Sequence, residues 1–124
     1  ADWLAQLRAG GEVAAFADMV AAPIGLDQVV TALCAIARHG PSGILHLSAR
    51  RDVTYFEIAR RIANRIGVAA DRVRPTGAAE HGIGPGEAPA CTTLACDEFL
   101  AGFGLAPIEP RDVVDAVLGL GSSE

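Results

Sequence analysis

The sequence predicts an α/β domain in which three to five helices pack on a few short strands, with residues 1–124 forming a single unit. Three stretches predict it. Residues 44–48 (ILHLS) form a short apolar run bounded by turn residues, as expected for a buried strand. Residues 54–67 follow with a doubly signed helix start. Residues 26–39 repeat their apolar positions every 3.6 residues. A chain of this length builds one modest core, hiding roughly two-thirds of its unfolded surface.

Taken in order, residues 2–9 have helical spacing at Trp3, Leu4 and Leu7 and stop at Gly10-Gly11. Residues 13–17 read as a short strand, and residues 18–25, which contain Pro23, as a loop. In the helix over 26–39, Val29, Val30, Leu33, Ile36 and Ala37 form the apolar face. Asp27 lies in the first turn, where the helix dipole favours negative charge. Arg38 and His39 suit the last turn, and Gly40-Pro41 ends the element.

The strand over 44–48 leads to the next helix, whose start is specified twice. Thr54 and Glu57 have capping-box spacing, and Val53 and Ile58 occupy the positions of a hydrophobic staple. Tyr55, Ile58, Ala59, Ile62 and Ile66 share a face, Gly67 supplies the stop, and Glu57 and Arg61 form an i,i+4 pair. Residues 72–76 read as a second strand held at an edge by Pro75. Residues 77–95, rich in Gly and Pro, read as a flexible loop. Helices over 97–103 and 110–118 close the chain, with Pro110 at a first helical position and Val113, Val114, Val117 and Leu118 as its apolar side.

Composition narrows the chemistry. A net charge of −5 argues against nucleic acid, which would require a basic face. No apolar run is long enough to span a membrane and no signal peptide is visible, so a reducing cytoplasm is the default expectation. The three cysteines are not an even disulfide set. Cys34 reads as a small buried hydrophobe, and the spacing of Cys91 and Cys96 matches no common zinc motif, so no metal site is expected.

All ten basic residues are Arg, which excludes every reaction needing a lysine side chain. The single tyrosine, Tyr55, has Ala59 four residues on, so a Tyr/Lys hydride-transfer pair cannot form. The Gly82-Ile-Gly-Pro-Gly86 run lacks GxGxxG spacing and reads as a mobile loop rather than a dinucleotide cradle. No serine lies in a GxSxG elbow. His39 reads as a helix-terminal cation, and His46 as a packed strand histidine or a cleft-lining one.

The order of several fragments resembles one family. Phe16-Ala-Asp18 with Pro23-Ile-Gly-Leu-Asp27 matches a DQ-x-x-x-P-T-type loop leading into a helix. Gly43-Ile-Leu-His46 matches Gly-x-Tyr-His. Thr54-Tyr-Phe-Glu57-Ile-Ala59 matches a Ser-x-Tyr-Glu-Phe-Ala helix start, and Ala88-Pro89 with Leu94-Ala-Cys-Asp97 echoes an Arg-Pro and Leu-Asp segment. From Trp3 to about Leu118 the chain resembles the C-terminal, substrate-binding part of the dTDP-4-dehydrorhamnose reductase-like enzymes, which are extended short-chain dehydrogenase/reductases in the epimerase/dehydratase group.

That resemblance implies a missing N-terminal Rossmann half holding NAD(P) and the Tyr/Lys pair, with no cofactor bound by this chain. It implies a nucleotide-sugar ligand, with the 18–27 and 77–95 loops facing its cleft. The substrate-binding residues it carries over are Asp18, Pro23, Ile24, Asp27, His46 and Pro89; it carries over no catalytic residue. Two positions depart from the pattern: Ile24 stands where the family has Thr, and Ala88 where it has Arg. Reductase, epimerase and dehydratase chemistry all remain open. Two further readings stand beside this one. One is a non-catalytic interaction or dimerisation module that self-associates through its uncovered surface, and the other is a stable piece of a longer enzyme.

Overall fold

The computed structural model describes residues 3–121. The elements are α1 (Trp3–Arg8), β1 (Val13–Phe16), β2 (Val20–Ala21), α2 (Leu26–His39), β3 (Val53–Thr54), α3 (Tyr55–Arg65), β4 (Val73–Thr76), α4 (Asp97–Gly102) and α5 (Pro110–Gly121). Single 3-10 turns lie at Ala70–Arg72 and Ala78–His81. The α/β expectation holds, with five α-helices among the described residues. Asp2 of the expected first helix lies outside them.

Two small sheets carry the helices. β1 and β4 pair in parallel, from Val13 opposite Val73 to Phe16 opposite Thr76. Parallel neighbours need a crossover, and α3 supplies its packing layer. Leu7, Val13, Ala15, Ala59, Ala63 and Val73 are buried together, with Trp3, Tyr55, Phe56, Ile62, Ile66 and Val68 around them. Ala59 and Ala63 are the fully buried positions of α3, so the helix backbone lies close to the sheet. Pro75 in β4 has no N–H to donate, which an edge strand tolerates.

The second sheet pairs β2 with β3 antiparallel, Val20 opposite Thr54 and Ala21 opposite Val53. This corrects the reading of 18–25 as uninterrupted loop. A second cluster, Ala49, Ile108 and Val113 with Ala22, Ile24 and Leu47, lies behind it.

The start of α3 keeps half of its capping box. The Glu57 N–H donates to Thr54 Oγ1 at 3.0 Å, a cap worth about 1 kcal/mol. The reciprocal bond from the Thr54 N–H to the Glu57 carboxylate does not form. The expected Glu57–Arg61 pair is also replaced. Arg61 instead grips Asp115 of α5 through Nε at 2.8 Å and a second guanidinium nitrogen, a bidentate pair that ties α3 to α5. The guanidinium holds the Asp115 carboxyl below its ordinary range, against an opposing desolvation effect.

Three other expectations change. Residues 44–48 do not form a strand, because among the described residues no neighbouring strand pairs its backbone with theirs. Cys34 is exposed, since the buried side of α2 runs through Ala32 while Cys34 lies on another face. Val117 of α5 is exposed as well, while Pro110 and Val113 are buried. The outer helices differ from expectation only at their ends: α4 stops at Gly102 and α5 continues to Gly121.

Candidate functional site

A cleft of about 260 Å³ opens where the β2–β3 pair meets the 88–92 segment. Its walls are residues 19–23, Tyr55 at the start of α3, Ala88, Pro89 and Thr92. Local chemistry explains each wall. The Tyr55 N–H donates to the Met19 carbonyl at 3.1 Å, which fixes the first turn of α3 against the strand before it. Trp3 meets the Tyr55 ring edge-on at 6.5 Å, setting its orientation.

The far wall is held by Asp52. Its carboxylate accepts from the Thr92 N–H at 3.1 and 3.2 Å, from the Thr92 hydroxyl, and from the Thr93 hydroxyl at 3.0 Å. The Thr92 hydroxyl is the main cause of a lowered Asp52 pKa. Desolvation opposes it, while the Thr93 hydroxyl, the Thr92 N–H and the Cys91 thiol add to the lowering. Two residues further on, the Leu94 N–H donates to Ser48 Oγ at 2.9 Å and the Cys96 thiol donates to the Ser48 carbonyl. Residues 92–96 are thus laced to residues 48–52, and the preceding 88–91 stretch hangs over the cleft from a fixed point.

The residues carried over from the sequence are spread across several environments. Pro23 and Pro89 both line the cleft. Ile24 packs behind it on the second core cluster. Asp18 accepts from the Ala78 N–H at 3.1 and 3.0 Å, tying the start of the 77–95 loop to the end of β1. Asp27 lines a separate groove of about 250 Å³ between α2 and residues 105–108. His46 is exposed on the 44–48 segment, away from this cleft.

Sequence reasoning missed Tyr55, Thr92 and Asp52 as site residues. Tyr55 has helical spacing and was read as core, a role it also fills. Asp52 and Thr92 are forty positions apart, with no local signal that joins them.

The cleft has no charged side chain in its lining, and a hydroxyl from Thr92 and one from Tyr55 are its polar side-chain groups. It suits an uncharged ring with apolar faces and a few hydroxyls. The glycine run 82–86 does not fit a dinucleotide cradle: it opens no helix, and the Gly84 N–H is already donated to the nearby Glu87 carboxylate at 3.1 Å. Among the described residues, no group of three or more His, Cys, Asp or Glu is placed to hold a metal, and no helix is long and apolar enough to cross a membrane.

Comparison with known proteins places these features in context. Residues 3–120 match the RmlD substrate binding domain family. A probable dTDP-4,6-dihydroxy-2-methyloxan-3-one 4-ketoreductase from Streptomyces antibioticus is 33% identical over 100 residues, covering 80% of this chain and 33% of the relative. The crystal structure of dTDP-4-dehydrorhamnose reductase from Bacillus anthracis str. Ames in complex with NADP superposes with a TM-score of 0.69 at 16% identity, covering 93% of this chain and 40% of that one. The chain therefore spans about a third of the length of the curated relative it matches.

Proposed function

The chain belongs to the RmlD substrate binding domain family, and from that premise we propose that it is the nucleotide-sugar-binding part of an NAD(P)-dependent reductase of the dTDP-4-dehydrorhamnose reductase type. The observation that carries this reading is the cleft that unites Pro23 and Pro89, two positions forming part of the family resemblance, with Tyr55 and Thr92. Its uncharged lining suits the sugar ring or the base. The diphosphate finds no guanidinium there, because Ala88 stands before Pro89 in place of Arg.

The chain presents the sugar and does not itself reduce it. It has no lysine to pair with its one tyrosine, and its 82–86 glycine run is no dinucleotide cradle, so NAD(P) is assigned to the part of the family-length protein outside this chain.

Titrating the chain with a dTDP-deoxysugar, followed by saturation-transfer NMR, tests this reading. Saturation is expected to pass from the Tyr55 ring to the sugar or base protons. Pro89 is exposed, so Pro89→Asp leaves the fold intact while setting a carboxylate beside a dianionic ligand. Affinity should fall by about tenfold or more. Equal binding by that variant, or saturation arriving from residues remote from Tyr55, overturns the assignment.

A further inference from the structure

The first turns of α3 and α5 converge on a small pocket that the sugar cleft does not use. Its volume is about 140 Å³, close to that of an apolar cavity that accepts one benzene-sized ring. Val53, Ile58, Pro110 and Val114 give it apolar walls. These walls are set by the fold. Val53 pairs with Ala21 across the β2–β3 sheet, and Pro110 is fully buried at the start of α5. The bidentate Arg61–Asp115 pair then holds the two helices against each other, so the pocket exists before any ligand arrives.

Three guanidiniums line the same pocket, and they differ in how far they are already committed. Arg61 is taken up by Asp115. Arg51 has one long contact, from Nε to Glu109 Oε2 at 3.4 Å, and Glu109 is shared with Arg50. Arg111 is exposed and makes no hydrogen bond or ion pair among the described residues, although its charge is felt at Asp115. The lining holds one carboxylate, Glu57, whose helical neighbour Arg61 has turned to Asp115 instead.

This combination selects a ligand chemistry. A single ring removes the aliphatic walls from water. A carboxylate on that ring meets the uncommitted guanidinium of Arg111 and the free end of Arg51, and both are planar forks suited to it. Glu57 repels a second negative charge, which disfavours a phosphate. We propose that this pocket is a second binding site, for a monoanionic carboxylate carried on one six-membered ring, with Val53, Ile58, Pro110 and Val114 around the ring and Arg111 and Arg51 on the carboxylate. The site shares the β3–α3 junction with the sugar cleft but none of its lining residues. It does not depend on the nucleotide-sugar reading.

Sodium benzoate is the probe, titrated into the 124-residue chain and followed by the methyl resonances of Val53, Ile58 and Val114. Those methyls are expected to shift together and to approach saturation by about 10 mM. Benzyl alcohol keeps the ring without the charge and should bind about fivefold more weakly, while inorganic phosphate should leave the methyls unmoved. Arg111→Gln, at an exposed position, should weaken benzoate binding about fivefold with no change in Tm. Val114→Phe sets a ring of the protein's own in the pocket and should abolish the benzoate shifts. Arg111→Gln keeps the test decisive if Val114→Phe does not fold.

Four results overturn the proposal. They are methyls unmoved by benzoate at that concentration, equal affinity for benzyl alcohol and benzoate, and benzoate binding that Arg111→Gln leaves unchanged. The fourth is a set of shifts centred on Tyr55 and Thr92, which would put the probe in the sugar cleft.

Discussion

Replacing Asp52 with alanine is expected to release the 88–93 segment and to weaken nucleotide-sugar binding by about tenfold or more, because the far wall of the cleft is then no longer pre-organised. One carboxylate holds that wall, through the Thr92 N–H and the hydroxyls of Thr92 and Thr93. Hydrogen exchange at the Thr92 amide reports the release directly, and should rise in Asp52→Ala while the amides of α3 stay protected. The same clasp carries a pH dependence of defined sign. Its folded pKa lies below the ordinary 3.8, so its contribution is fully present above that value and is lost as pH falls through the lowered pKa. The 88–93 segment should therefore remain closed throughout the neutral and mildly acid range and open only in stronger acid. Opening near pH 6 would point to a histidine and contradict this assignment.

The second large effect concerns stability. Leu7 is among the largest fully buried side chains, wedged between the β1–β4 pair and α3. Leu7→Ala is expected to cost about 2–5 kcal/mol through lost burial and a residual cavity, a large share of the roughly 5–15 kcal/mol that holds a domain together. Tm should fall by roughly 6–20 °C. The loss also reaches the cleft. The Leu7 helix carries Trp3, whose edge orients Tyr55, so ligand affinity should weaken together with stability. Leu26→Ala provides the contrast. Leu26 is exposed in the isolated chain, and its removal should change stability by no more than about 0.5 kcal/mol. Equal losses in the two variants would mean that α1 is not part of the core.

The parts of this fold that were legible in the sequence are those fixed by neighbours in the chain. The 3.6-residue period of 26–39 yields a helix with the expected limits, and Thr54 caps α3 through a bond spanning three residues. The parts that were not legible depend on distant partners. Asp52 and Thr92 are far apart in sequence, and the two-residue strands β2 and β3 exist only because each finds the other. Arg61 had two carboxylates to choose from, and the α3–α5 packing decided for Asp115 over its helical neighbour Glu57.

Residues 44–48 are the most instructive case. Their composition predicts a strand, but a strand is a relation between two segments, and among the described residues no second one pairs with them. Cys34 and the bare stripe of α2 follow the same logic. Periodicity reveals how wide the apolar face is, without saying how much of it the chain itself will cover.

On the proposed function, this chain grasps the sugar nucleotide while the groups that move a hydride lie outside it. The most direct measurement is NADPH absorbance over time, with the purified 124-residue chain and a dTDP-4-keto sugar. The expected rate is no different from buffer. Sustained NADPH oxidation with stoichiometric reduction of the keto group by this chain alone would contradict it.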